Sequence, residues 1–170
     1  GFHRDLSERL LQGAHERLKE AGLPEGQLED HWVPGAFELP LAAHAMAHRR
    51  RYAAVIAIGV VIRGETAHFD HICNATATGL MRVNLETGIP CTFGLLTVEN
   101  REQAEARAGG DKGNAGIDAA DAADEGVEWH EHVMALEWAV LERNVERKVP
   151  PADGDARRVQ VEAEEADSAL

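Results

Sequence analysis

Apolar positions along the chain fall into two alternating patterns. Leu6, Leu10, Ala14, Leu18 and Ala21 recur at near-helical spacing with charges between them, predicting an amphipathic helix over 5–21 that Gly22 and Pro24 stop. A short strand is predicted at 29–33, closed by Pro34-Gly35, and a second helix at about 39–50. Residues 52–62 form a near-continuous apolar run, the signature of a strand buried on both faces of a parallel sheet. Gly64 breaks it. Over 66–87, Phe69, Ile72, Cys73, Thr76, Leu80 and Val83 share one helical face. A further buried strand is expected at 89–97 and a short helix at 100–108. The Gly/Asp/Ala-rich stretch 109–127 reads as a loop, 128–147 as the last helix, and the tail from Pro150 as polar, acidic and disordered. Strands alternating with helices predict an α/β domain over 1–149, followed by the tail at 150–170.

Composition narrows the class. The 170 residues suffice for one domain with a real core. Thirty acids against 17 bases leave a net charge of −13, which would repel a nucleic-acid backbone over most of the surface. Only Lys19, Lys112 and Lys148 are lysines. An acidic, Lys-poor surface of this kind, not confined to the tail, suits a salt-rich, halophilic cytoplasm. No apolar run is long enough for a membrane span, and no secretion leader is visible, so a cytoplasmic protein is expected. Cys73 and Cys91 lack metal or disulfide spacing and are expected to be buried thiols.

Ligands of open α/β sheets bind at the carboxyl ends of the strands. Three segments are expected there: 33–40, 59–70 and 93–97. In the second, Gly64-Glu65-Thr66 at a helix start offers backbone N–H groups and a positive dipole end to an anion. Thr66 is a candidate cap, and His68, one turn in, is placed to move protons beside that anion. The segment alone leaves equal room for a plain capping Thr and an exposed surface His. Arg107, at the end of a short helix, is a candidate phosphate partner, or else a solvated surface Arg. Glu38, after a Pro-Gly turn, is a candidate polyol acceptor, or a solvated helix start. His130 and His132 do not share a helical face, and His68 and His71 lack a third ligand at fitting spacing, so no metal is expected. There is no glycine-lysine phosphate loop and no Gly-x-Ser-x-Gly elbow.

Taken together, W-V-P-G-A-F-E-L-P (32–40), A-V-I-A-I-G-V-V-I-R-G-E-T-A-H-F-D (54–70), I-P-C-T-F-G-L-L-T-V-E-N-R-E-Q-A (89–104) and R-A-G-G (107–110) resemble the 6,7-dimethyl-8-ribityllumazine synthase family. The resemblance covers roughly 2–148. It implies a three-layer α/β/α sandwich with a parallel, flavodoxin-like sheet, the first strand of which is missing from this chain. It also implies condensation of 5-amino-6-ribitylaminouracil with 3,4-dihydroxy-2-butanone 4-phosphate, without cofactor or metal. The same fold also carries non-catalytic riboflavin- or lumazine-binding proteins, the alternative expectation.

Carried over by the resemblance, Phe2 stacks on the uracil ring, and Ala36, Phe37 and Glu38 hold the ring edge and ribityl chain. Val60, Val61 and Ile62 line the uracil pocket. Gly64, Glu65, Thr66 and Arg107 hold phosphate, and His68 moves protons. Phe93 and Arg107 come from a neighbouring subunit. The family's glycine-rich segment commonly carries two lysines; here Lys112 alone remains a candidate. By the same resemblance, the chain between 113 and 128 is longer than in cage-forming members, its acidic loop 109–127 adds bulk and like-charge repulsion where pentamers would meet, and G-V-E-W at 126–129 looks like members that stop at pentamers. A pentamer or decamer is therefore expected rather than a cage, with riboflavin synthase as a further partner.

Overall fold

The computed structural model describes residues 3–24, 26–127 and, for its backbone alone, the segment 159–164. A parallel sheet separates two helical layers. Helix α1 (Arg4–Glu20) buries Leu6, Leu10, Ala14 and Leu18, the stripe the sequence shows. Strand β1 (Leu28–Val33) leads through a single 3-10 turn (Ala36–Glu38) into α2 (Leu39–Ala47). Strand β2 (Ala54–Ile62) is buried at eight of nine positions, as its apolar run requires. It feeds α3 (His68–Thr87), closed by Gly88 at φ 71°, then β3 (Cys91–Val98) and α4 (Arg101–Arg107). A small antiparallel hairpin follows, β4 (Ala108–Gly110) and β5 (Gly113–Asn114). The chain is then helical from 115 to 127, here called α5. Strand β6 is Val159–Glu164.

Side chains alternate between the two faces of β2 and thereby build two cores. Ile56, Ile58 and Val60 pack with α1, Ala104 of α4, and Ala119, Ala120 and Ala123 of α5. Val55, Ala57 and Val61 pack with Leu39 and Ala43 of α2 and with Phe69, Leu80 and Val83 of α3. The three-layer α/β/α expectation is met.

Two expectations fail. The 109–127 stretch is not a loop but a hairpin and a helix. Its buried positions Gly116, Ala119, Ala120 and Ala123 follow the helical i, i+3, i+4, i+7 spacing, hidden from the sequence because the residues are small rather than greasy. Asn114 starts this helix: its Oδ1 accepts from the Gly116 amide at 2.9 Å while its Nδ2 donates to the Arg9 carbonyl of α1 at 2.9 Å. Asp118, Asp121, Asp124 and Glu125 of the acidic stretch thus stand on a packed helix, where Asp121 pairs with Arg17 of α1. The second failure is the tail. Residues 159–164 are a strand, and the sheet order is β1-β6-β2-β3, all parallel. The remaining residues of 150–170 and the 128–147 helix with its Trp129 lie outside the described residues.

Gly116 shows how closely α5 meets α1. A Cβ there would lie 1.9 Å from the Leu10 carbonyl oxygen. Alanine ordinarily stabilises a helix by about 1 kcal/mol over glycine. Here the clash is with backbone and reverses the sign, so Gly116→Ala is expected to cost about 1–3 kcal/mol, the range for overpacked cores. Thermal denaturation checks this, and a raised Tm would contradict the close approach.

Candidate active site at the carboxyl edge of the sheet

Two of the three expected segments meet at the edge where β1 and β2 end. The 3-10 turn Ala36–Glu38 follows β1, with Ala36 buried, Glu38 half-buried and Phe37 61% exposed. Thr76 of α3 ties this turn down by donating from Oγ1 to the Ala36 carbonyl at 2.9 Å. A buried hydroxyl–carbonyl bond of this kind is costly to leave unmade. At the end of β2, Val60 belongs to the α1-side core and Val61 to the α3-side core. Only Ile62 of these three is half-buried, so Val60 and Val61 offer a ligand backbone more readily than side chain.

Beyond Ile62 the chain turns through Gly64, Glu65 and Thr66, all exposed, into α3. The N-cap position is Ala67 rather than Thr66. Thr66 still serves the helix start, since its Oγ1 accepts from the His68 amide at 3.3 Å. His68 is exposed in the first turn of α3. An exposed turn, a helix N-terminus and an imidazole thus occupy one edge, the kinds of group that suit anion binding and proton transfer.

Arg63, which the linear pattern does not single out, spans this turn. Arg63 donates from Nη1 and Nη2 to the two carboxylate oxygens of Asp70, at 2.9 and 2.8 Å. Its Nε lies 2.8 Å from one carboxylate oxygen of Glu99 and 3.1 Å from the other, and its guanidinium covers the Phe69 ring at 4.2 Å. The guanidinium beside Asp70 holds that carboxyl below the usual carboxylate range. Nothing in the linear pattern R-G-E-T-A-H-F-D shows that its first and last residues meet.

The remaining candidates lie elsewhere on the chain. Phe93 is inside β3, paired in register with Ala57, whereas Val98 pairs with Ile62 at the carboxyl edge. Five residues at about 3.3 Å each place Phe93 roughly 16 Å down the strand from that edge. The expectation that 93–97 follows a strand end is therefore corrected: the segment is the strand. Arg107 ends α4, in the layer opposite α3. Among the described residues its guanidinium makes one hydrogen bond, a 3.4 Å contact to the Gln103 carbonyl. With Arg9 and Lys112 it lines an open groove that also carries Glu102, Glu105 and Asp111. Phe2 lies outside the described residues. Among those described, no group of three or more His, Cys, Asp or Glu is arranged to hold a metal.

A parallel α/β sheet with helices on both faces, and an exposed turn and an imidazole at its carboxyl edge, defines the class of open α/β proteins whose ligands bind at that edge. The description 6,7-dimethyl-8-ribityllumazine synthase matches residues 1–131. Proteins of that name from two strains of Coxiella burnetii, CbuG_Q212 and RSA 493, are each 48% identical over 122 residues, 72% of this chain and 81% of theirs. That of strain Dugway is 46% identical over the same span. The chain belongs to the 6,7-dimethyl-8-ribityllumazine synthase family.

Proposed function

We propose that this chain condenses 5-amino-6-ribitylaminouracil with 3,4-dihydroxy-2-butanone 4-phosphate, giving 6,7-dimethyl-8-ribityllumazine, phosphate and water, the penultimate step of riboflavin biosynthesis. The observation that carries the reading is the joint placement of Ala36–Glu38, the Gly64–Thr66 turn and His68 at one sheet edge. The primary amine attacks the ketone and expels water to give an imine, phosphate is eliminated, and the ribityl-bearing amine attacks the carbonyl so formed and expels a second water to close the ring. Each step transfers protons, for which His68 is placed. The leaving phosphate is received by the amides of Gly64, Glu65 and Thr66. Nothing is oxidised or reduced, so the chemistry calls for no cofactor. Holding both substrates together supplies much of the acceleration.

The site is completed between copies of the chain. His68 and Arg107 lie in opposite layers, and Phe93 lies far down β3, so one chain cannot bring all three to one ligand. A neighbour's Phe93 and Arg107, with Lys112 beside it, reach across instead, and Phe2 covers the ring. Exposed apolar side chains support such assembly. Leu41 of α2 is 73% exposed, and Met81 and Leu85 of α3 are 60% and 78% exposed. We read the assembly as a pentamer, or two pentamers face to face, working with riboflavin synthase in a salt-rich cytoplasm. Among the described residues no helix is long and apolar enough to cross a membrane.

Appearance of the lumazine chromophore on mixing the two substrates tests the activity. A protein that purifies yellow yet makes no lumazine would mark a flavin binder instead. Light scattering tests the assembly, and an active monomer would overturn the shared site. For the anion, Arg107→Ala is expected to weaken inorganic phosphate and butanone-phosphate binding by about 1.5–3 kcal/mol, the scale of a charged hydrogen bond. Binding of the uracil substrate should change little. Calorimetry with each ligand checks this, and equal losses for both would remove Arg107 from the phosphate site.

A further inference from the structure

We infer that Arg63 is a positioning residue for the phosphate subsite, acting through Asp70 and Glu99 to hold the turn that receives the anion; this rests on the reading just proposed. Residues 64–68 are all exposed, and among the described residues the one side-chain hydrogen bond within them is Thr66 Oγ1 accepting from the His68 amide. Such a turn, left to itself, samples many backbone conformations, and ordering it at each binding event costs affinity. Its two ends are fastened instead. Residue 63 and residue 70 are joined by the bidentate Arg63–Asp70 pair, which closes the turn into a ring. The Arg63 amide donates to the Val98 carbonyl at 2.9 Å, and its Nε is held by Glu99 just beyond β3, so the ring is anchored to the neighbouring strand. Phe69, against which the guanidinium lies, is buried in the α3-side core. One planar group thereby fixes where β2 ends, where α3 begins and how β3 sits beside them.

Arg63 acts on the anion through the turn rather than as its ligand: its Nε, Nη1 and Nη2 each already meet a carboxylate oxygen, three of the five guanidinium N–H groups. Lysine could not reproduce the arrangement, because an ammonium is a single point charge without the fork that meets Asp70 and Glu99 together. Exposed ion pairs add little to global stability, so the fastening acts on the geometry of the turn rather than on whether the protein folds.

The test compares Arg63→Gln, Arg63→Lys and Asp70→Asn, singly and with R63Q and D70N combined, in the full chain. The readouts are Tm, calorimetric binding of inorganic phosphate, and steady-state lumazine formation with each substrate varied in turn. R63Q is expected to lower kcat/KM for the butanone phosphate by about 10- to 100-fold, the scale of displacing reacting groups by about an ångström. KM for the uracil substrate should stay within about twofold, Tm should move little, and R63K should fall between wild type and R63Q. D70N is the deciding variant. If the pair positions the turn, D70N weakens phosphate binding as R63Q does, and the double variant is no worse than either single one. If Arg63 were itself a phosphate ligand, D70N would release it and tighten phosphate binding. Tightening in D70N, additive losses in the double variant, or equal losses for both substrates would each overturn the inference. Should R63Q not fold, R63K and D70N still decide it. Phosphate binding is read without turnover, so absence of lumazine from wild type would count against the proposed reaction and leave the role of Arg63 in the anion turn to be decided by calorimetry.

Discussion

Replacing His68 with alanine is expected to slow lumazine formation at saturating substrates by about 10²–10⁴-fold, the range for loss of a positioned general acid or base. His68 stands in the first turn of α3, two residues beyond Thr66 of the exposed Gly64–Thr66 turn. Its own amide is tied to Thr66, so backbone and turn should survive truncation of the ring. The variant therefore separates proton transfer from anion binding. Inorganic phosphate should bind nearly as to wild type, while the rate read from chromophore absorbance falls. A loss at the low end would mean that juxtaposition of the substrates carries more of the catalysis. Unchanged turnover would take the proton-moving role away from His68 and leave it a surface residue, the plainer reading its sequence context also allows.

The long periodic elements were legible because a single physical rule dominates each. The Leu6–Leu18 stripe can be buried only as a helix face, and the 54–62 run only as a strand covered on both sides. The edge that carries His68, Ala36 and the Gly64–Thr66 turn follows from the same logic, since parallel strands end together. The rest depended on contacts between residues distant along the chain. Helix α5 escaped because close packing on α1 selects glycine and alanine, which carry no hydropathy signal, and because its cap Asn114 looks like any loop asparagine. Phe93 was misplaced because a strand's register cannot be read from one strand alone. The Arg63 fork is invisible in sequence for the same reason. Only the turn of the chain brings residue 63 to residue 70, and only the sheet brings it to residue 99.

The acidic tail is where reading and structure diverge most, and it supports the remaining prediction. Val161→Pro is expected to destabilise the protein by about 3 kcal/mol or more, on the scale of proline forced into a regular hydrogen-bonded element. Val161 is in register with Asp30 of β1 on one side and Ile56 of β2 on the other, so it sits inside the sheet rather than at its edge. Proline has no N–H to give a ladder, and sheets tolerate it at edges, not in central strands. The damage would not stay local. Among the described residues β1 pairs with β6 alone, and β1 leads into the Ala36–Glu38 turn beside the candidate site. Loosening β6 should therefore lower the urea midpoint and weaken binding of the uracil substrate together. Phosphate binding should suffer less, because Arg63, Asp70 and Glu99 hang on β2, α3 and the end of β3. A tail of polar, alternating composition reads as dispensable only if each strand is judged by its own hydropathy. Between two strands that need a partner, backbone pairing supplies what the side chains do not advertise. An unchanged midpoint in V161P would show that 159–164 is not a working strand of this sheet, and that β1 reaches β2 by other means.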